Sequence, residues 1–102
     1  MERVKLEDRT KCIFLVDDNA IYLNTGKAAL QDKYTVVTIP SGQKLLMLLE
    51  KTHPDLILLD VEMPDMSGYD VIREIKANPE TADIPVIFLT GKNDLEDELL
   101  GL

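Results

Sequence analysis

Four short apolar runs, separated by longer segments with helical periodicity, are the feature that most limits what this chain can fold into. The runs are "CIFLV" at 12–16, "YTVVTI" at 34–39, "DLILL" at 55–59 and "PVIFLT" at 85–90. The first, third and fourth are almost continuously apolar, which is typical of parallel strands covered on both faces. We therefore expect a sheet that is mainly parallel and buried between helices.

The segments between the runs have the spacing of amphipathic helices at about 19–32, 42–51, 67–77 and 94–102. Apolar residues three and four apart would share one face of the second and third helices: Leu45, Leu48 and Leu49, then Val71, Ile72 and Ile75. The predicted N-caps, whose side-chain oxygens can accept amide hydrogens of a first turn, are Ser41, Ser67 and Asn93 or Asp94. Alternating strands and helices with right-handed crossovers predict an α/β fold with an open parallel sheet.

Charge and composition exclude several classes of protein. The net charge of -8 argues against nucleic acid or an anionic membrane as the default partner and favours a cation or a basic protein surface. The single cysteine excludes an intrachain disulfide framework and a cluster of thiolate metal ligands. The longest apolar run, "LLMLL" at 45–49, is far too short to cross a membrane, and the charged N-terminus is not a signal peptide. We expect a cytoplasmic protein.

Three of the predicted strands lead into side chains that carry oxygen. "FLV" is followed by Asp17 and Asp18, "LILL" by Asp60, and "IFL" by Thr90. Ligands of open α/β sheets bind beyond the carboxyl ends of the strands, so these four side chains should converge on one crevice. Taken singly, each aspartate could simply cap a helix or end a strand, but the combination on separate strands favours a shared site.

Three carboxylates in one crevice need a proton or a cation. At ~4 Å, each like-charge pair costs about 4 kcal/mol at an effective dielectric constant of about 20. Oxygen ligands without His or Cys suit a hard cation, and few carboxylates with room for water suit Mg²⁺ better than Ca²⁺. The sequence therefore predicts a magnesium site.

The motifs "FLVDDN", "DLILLDVEMPDMSGYDVIREIK" and "IPVIFLTGK" together resemble the receiver domains of two-component response regulators. The resemblance covers nearly the whole chain from Lys11 onward. It implies a flavodoxin-like sheet in the order 2-1-3-4-5 with helices on both faces. It also implies a charged N-terminal lead-in at 1–11 and a receiver domain at 12–102 that lacks the fifth βα unit of the family.

The resemblance implies a role for each residue of the predicted crevice. Asp60 would be the phosphoacceptor and, with Asp18, a direct ligand of Mg²⁺. The backbone carbonyl of Glu62 would be a third protein ligand, and Asp17 would act through a water molecule. Thr90 would be the switch hydroxyl that moves to meet the phosphoryl group.

Further residues would shape or tune this site. Pro64 and Gly68, in "MPDMSG", match the turn that leads into the third helix of a receiver. Glu62 and Lys92 lie two residues after Asp60 and the switch threonine, at positions that vary across the family. Their opposite charges could pair across the site and set the lifetime of the acyl phosphate.

The resemblance also implies partners and a mode of action. The phosphoryl donor would be a sensor histidine kinase or a histidine phosphotransfer protein, and the response would pass to a C-terminal output domain or a partner protein. We expect a switch that catalyses its own phosphorylation and dephosphorylation, rather than an enzyme with a separate substrate. Direct binding of nucleic acid or membrane by this domain is not expected, and self-association stays open.

The given sequence departs from the family pattern at its end. Receivers carry a phosphate-contacting lysine and an aromatic switch residue on a fifth strand, followed by a fifth helix, and none of these is present. Lys92 belongs to the loop after the fourth strand, so the role of that lysine is not transferred to it. The strand at 85–90 would then be an open edge, and we expect either a polypeptide that continues or a short form that pairs edges or swaps elements between copies.

Three other interpretations are weighed against the receiver. A phosphatase of the haloacid dehalogenase type also uses an aspartate after a strand. The motif of that class is D-x-D, however, and here Glu62 stands where the second aspartate would be. A pseudo-receiver that binds partners without phosphorylation is favoured by the missing lysine and opposed by the complete set of acidic residues. A nucleotide-binding domain is disfavoured, because no glycine-rich loop follows the first strand.

Overall fold

The protein folds into a parallel sheet flanked by helices, and the computed structural model describes residues 11–89. The elements, in chain order, are β1 Cys12–Val16, α1 Ala20–Leu30, β2 Thr35–Ile39, α2 Gly42–Leu49, β3 Leu56–Asp60, α3 Gly68–Ala77 and β4 Val86–Leu89. The strands lie in the order β2-β1-β3-β4, and every neighbouring pair is parallel. This confirms the predicted open α/β sheet. The predicted helix at 94–102, with its cap at Asn93 or Asp94, lies outside the described residues.

The boundaries of the elements differ from the predicted ones by one or two residues, for identifiable reasons. β3 begins after Asp55, because that residue turns toward β1: its carboxylate accepts a hydrogen bond of 2.7 Å from the amide of Cys12. The amide of Asp55 in turn donates to the carbonyl of Cys12 at 2.9 Å. At its other end β3 includes Asp60, which lies opposite Leu89 in the ladder. α1 ends earlier than predicted, and Gln31 forms its C-cap.

Side-chain caps fix the start of each described helix. Ser41 and Ser67 are the N-caps of α2 and α3, as predicted, and each hydroxyl accepts from the amide three residues later at 3.1 Å. Asn19 caps α1, accepting from the amides of Ile21 and Tyr22 at 2.9 and 3.2 Å. Such caps satisfy amides that have no partner within the helix.

The main core lies between the sheet and the helices α2 and α3. Its fully buried members include Val16, Ile39, Leu45, Ile57, Leu59, Val71 and Ile75. A smaller cluster on the other face contains Leu15, Leu23 and Val36. Leu23 is the only buried residue of α1, which agrees with the ragged apolar pattern of that helix in the sequence. Residues of β1 and β3 pack into both clusters, so the ends of these two strands are anchored in the core.

Candidate functional site

The carboxyl ends of β1 and β3 meet at one edge of the sheet. The two strands are neighbours in register, with Val16 opposite Leu59. Asp17, Asp18 and Asp60 each offer a carboxylate oxygen there, and these oxygens all lie within 4.8 Å of one another. Asp17 is buried, Asp18 is exposed, and Asp60 is intermediate. The structure thus brings together the three predicted aspartates, whereas Thr90 and Lys92 lie outside the described residues.

The electrostatics of Asp60 reflect this crowding. Burial, together with the negative charges of Asp17, Asp18 and Glu62, raises the pKa of Asp60 from its ordinary 3.8 to about 6. A hydrogen bond of 3.2 Å, donated by the amide of Glu62 to Oδ1 of Asp60, acts in the opposite direction. The ionised form of Asp60 is therefore destabilised when nothing positive is close to it.

Asp17 experiences the same kind of environment. Burial raises the pKa of Asp17 above its ordinary value, and the charge of Asp18 adds to the rise. Two hydrogen bonds act to lower this pKa. The amide of Asn19 donates to Oδ1 of Asp17 at 2.9 Å, and the side chains of Asp17 and Asp60 are hydrogen-bonded to each other. Since Asn19 itself caps α1, the acidic pair is not needed for capping, and its position is better explained by the shared cluster.

The donor set of the cluster is suited to a hard divalent cation. All three groups are carboxylates, and one of them is exposed, so that solvent can reach the cluster. A divalent cation would relieve the repulsion that raises the pKa values of Asp17 and Asp60. The arrangement can therefore hold a metal ion.

The loop at 61–67 approaches Asp60 very closely. The amide of Gly68 donates to the carbonyl of Val61 at 2.8 Å and closes this loop. A Cβ atom on Gly68 would stand 2.6 Å from the carbonyl oxygen of Asp60 and 2.8 Å from Cα of Val61. Among the residues that the structure describes, none has a positive φ angle. Gly68 therefore serves close packing rather than an unusual backbone conformation, while Pro64 lies exposed in the same loop.

Sequence reasoning missed one contact of this loop. Oδ2 of Asp65 accepts a hydrogen bond of 3.1 Å from the amide of Gln43, in the first turn of α2. The two residues are 22 positions apart, so no local spacing rule could have paired them. The contact connects the loop after Asp60 to a helix on the same side of the sheet.

In the described part of the chain, no helix has the length and apolar character needed to cross a membrane.

Comparisons with known proteins agree with this geometry. The model of the response regulator receiver domain matches residues 13–101. The chain is 45% identical over 102 residues to a Vibrio cholerae protein named "Probable cyclic di-GMP phosphodiesterase", covering 99% of this chain and 23% of that protein. It is 37% identical over 90 residues to a transcriptional regulatory protein of Streptomyces coelicolor, covering 88% of this chain and 39% of the relative. The chain therefore spans well under half the length of these relatives.

Solved structures give the same result for the fold. The N-terminal domain of a response regulator receiver protein from Methanoculleus marisnigri superposes with a TM-score of 0.74 at 34% identity, covering 86% of this chain and 76% of that one. The phosphorylated cyanobacterial phytochrome response regulator RcpA superposes with a TM-score of 0.76 at 33% identity, covering 88% of this chain and 71% of that one.

Proposed function

Because this chain belongs to the family of response regulator receiver domains, we propose that Asp60 accepts a phosphoryl group in a Mg²⁺-dependent reaction. The donor is a phosphohistidine of a sensor histidine kinase or of a histidine phosphotransfer protein. The observation that carries the proposal is the position of Asp60 at the end of β3, with its carboxylate beside those of Asp17 and Asp18. The domain is a switch that catalyses its own phosphorylation and dephosphorylation.

The residues of the cluster fit Mg²⁺. Asp18 and Asp60 would bind the ion directly, the backbone carbonyl of Glu62 would be a third ligand, and Asp17 would act through a water molecule. An ion held there would supply positive charge to the carboxylates and to the transferring phosphoryl oxygens. The support for this assignment is the all-carboxylate donor set and its raised pKa values.

The surroundings of Asp60 suggest how its carboxylate is oriented for attack. The amide of Glu62 donates to Oδ1, which leaves Oδ2 free of that bond. One carboxylate oxygen attacks the phosphorus, the bond from phosphorus to the imidazole nitrogen breaks, and its electron pair stays on the imidazole. The reaction needs ionised Asp60, and a pKa of about 6 leaves most of this carboxyl ionised at neutral pH. Catalysis is then mainly a matter of positioning and charge stabilisation.

The switch and tuning residues belong to the same proposal. The hydroxyl of Thr90 is drawn to the new phosphoryl oxygens, and this movement biases a two-state loop. Glu62 and Lys92 set the lifetime of the acyl phosphate through their opposite charges. Residues 90 and 92 lie outside the described part of the chain, so the support for both assignments is the resemblance in sequence.

The receiver at 12–102, preceded by the lead-in at 1–11, regulates an output that lies in the same polypeptide or in a partner protein. The support is the length of the relatives, of which this chain covers 23% and 39%. Their names suggest cyclic di-GMP hydrolysis or transcription as classes of output. The receiver itself acts in the cytoplasm and binds neither nucleic acid nor membrane.

The proposal is tested by phosphorylating the full-length gene product with acetyl phosphate and measuring its intact mass with Mg²⁺ and with EDTA. The parent should gain one phosphoryl group only with Mg²⁺. Asp60→Asn should gain none, whereas Asp32→Asn, at an exposed site remote in sequence from the cluster, should behave as the parent does. Uptake by Asp60→Asn would disprove the assignment, and a parent that takes up nothing would indicate a pseudo-receiver.

A further inference from the structure

Two hydrogen bonds hold the ends of the loop at 61–67, one to the last residue of β3 and one across the base of the loop. At its start, the amide of Glu62 donates to Oδ1 of Asp60 at 3.2 Å. At its end, the amide of Gly68 donates to the carbonyl of Val61 at 2.8 Å. These bonds fix where the loop begins and ends, but they do not fix its middle.

A hydrogen bond to Asp65 connects the middle of the loop to α2. Oδ2 of Asp65 accepts from the amide of Gln43 at 3.1 Å. The first turn of α2 contains no acidic side chain of its own. Asp65 therefore supplies from outside the helix the negative charge that stabilises a helix N-terminus, together with an acceptor for an amide that has no intrahelical partner.

Close packing brings the loop within reach of that helix. Met63 is buried in the main core, and Met66 packs against the same core. A Cβ atom on Gly42, the first residue of α2, would be in ordinary van der Waals contact with Cβ of Met66 at 3.4 Å and Cε of Met63 at 3.7 Å, and would collide with Cγ2 of Val71 at 2.7 Å. The loop thus lies directly against the start of α2, and the glycine there makes room for Val71 of α3.

We propose that Asp65 is a positioning residue for phosphoryl transfer. The inference rests on the proposed function, in which the carbonyl of Glu62 ligates Mg²⁺. Asp65 lies three residues after Glu62 in the same loop, and its bond to Gln43 ties that loop to a helix packed into the rigid core. Without that bond, only the packing of Met63 and Met66 holds the segment after Glu62, so the peptide that carries the carbonyl of Glu62 can shift at the metal site.

The test compares Asp65→Ala with Ser41→Ala in the full-length protein. Ser41→Ala removes the other side-chain bond to the first turn of α2, the bond of 3.1 Å from the amide of Lys44, and leaves the loop tethered. Asp65→Asn keeps an acceptor oxygen and removes only the charge. For each variant we would measure the melting temperature in EDTA, the Mg²⁺ dissociation constant by calorimetry, and the phosphorylation rate at saturating Mg²⁺.

Both alanine variants should lower the melting temperature in EDTA to a similar extent. Only Asp65→Ala should weaken Mg²⁺ binding, by about tenfold, the lower end of the range for residues that hold metal ligands in place. Asp65→Asn should lie between Asp65→Ala and the parent. Equal Mg²⁺ affinities for parent, Asp65→Ala and Asp65→Asn, or equal losses in Asp65→Ala and Ser41→Ala, would overturn the inference. A parent that neither binds Mg²⁺ nor takes up a phosphoryl group would instead overturn the proposed function, and this inference with it.

Discussion

A methyl group on Gly68 would stand 2.6 Å from the carbonyl oxygen of Asp60, closer than two nonbonded atoms of these types approach. The obstacle is backbone, so it cannot rotate away as a flexible side chain can. Gly68→Ala should therefore destabilise the protein by about 1–3 kcal/mol, the usual range for overpacking, and shift the loop beside the phosphoacceptor. Urea unfolding measures the loss of stability.

Gly26→Ala is the matched control for this substitution. A Cβ atom there would meet Cδ2 of Leu15 at 2.7 Å, the end of a flexible side chain, and alanine gains up to about 1 kcal/mol of helix propensity in α1. This variant should stay within about 1 kcal/mol of the parent. If Gly68→Ala were as stable as Gly26→Ala, the close approach to Asp60 would not be the reason for a glycine at that position.

Magnesium should raise the melting temperature of the protein, because the carboxylate cluster exists only in the folded state. At a concentration one hundred times the dissociation constant, the gain would be about 2.7 kcal/mol. Asp18→Asn should remove most of this response, and without metal it should be no less stable than the parent, since it removes a charge that destabilises ionised Asp60. Thermal melts with and without Mg²⁺ measure the effect, with Asp32→Asn as control. If millimolar Mg²⁺ did not change the melting temperature of the parent, the metal assignment would be contradicted.

The raised pKa of Asp60 predicts a specific pH dependence of stability in the metal-free protein. The folded state holds a proton on Asp60 up to about pH 6, whereas the unfolded state loses it near 3.8. This carboxyl therefore stabilises the fold fully below about pH 4, and the contribution is lost as the pH rises through about 6. Asp60→Asn lacks this dependence. In EDTA, its stability relative to the parent should increase between about pH 4 and pH 7. A difference that stays constant over that range would show that Asp60 ionises as an ordinary aspartate does.

Much of the fold and of the acidic cluster could be predicted from the sequence, because both follow from local patterns. The continuous apolar runs indicated buried parallel strands, and Ser41 and Ser67 marked two helix starts. The meeting of Asp17, Asp18 and Asp60 followed from the rule that parallel strands end at the same edge of the sheet.

The contacts that position the site could not be predicted, because they depend on tertiary structure. In the sequence, Asp65 is indistinguishable from an ordinary loop residue. Its role is visible only in the folded structure, where the helix that begins at Gly42 packs beside it. The reason for a glycine at position 68 could not be predicted either. The motif indicates a turn glycine, but the φ angle of Gly68 is not positive. A side chain at this position would instead collide with the backbone of Asp60. Asp55 was assigned to a strand, although its carboxylate is bound to the amide of Cys12.

The central claim, that Asp60 carries the phosphoryl group, is tested most directly by trapping the acyl phosphate. Borohydride reduces an aspartyl phosphate to homoserine, and peptide sequencing by mass spectrometry then locates the modified residue. After treatment of the full-length protein with acetyl phosphate and Mg²⁺, homoserine should appear at residue 60 and at neither Asp17 nor Asp18, and EDTA should abolish it. Homoserine at residue 17 or 18, or at residue 60 to the same extent in EDTA, would contradict the account.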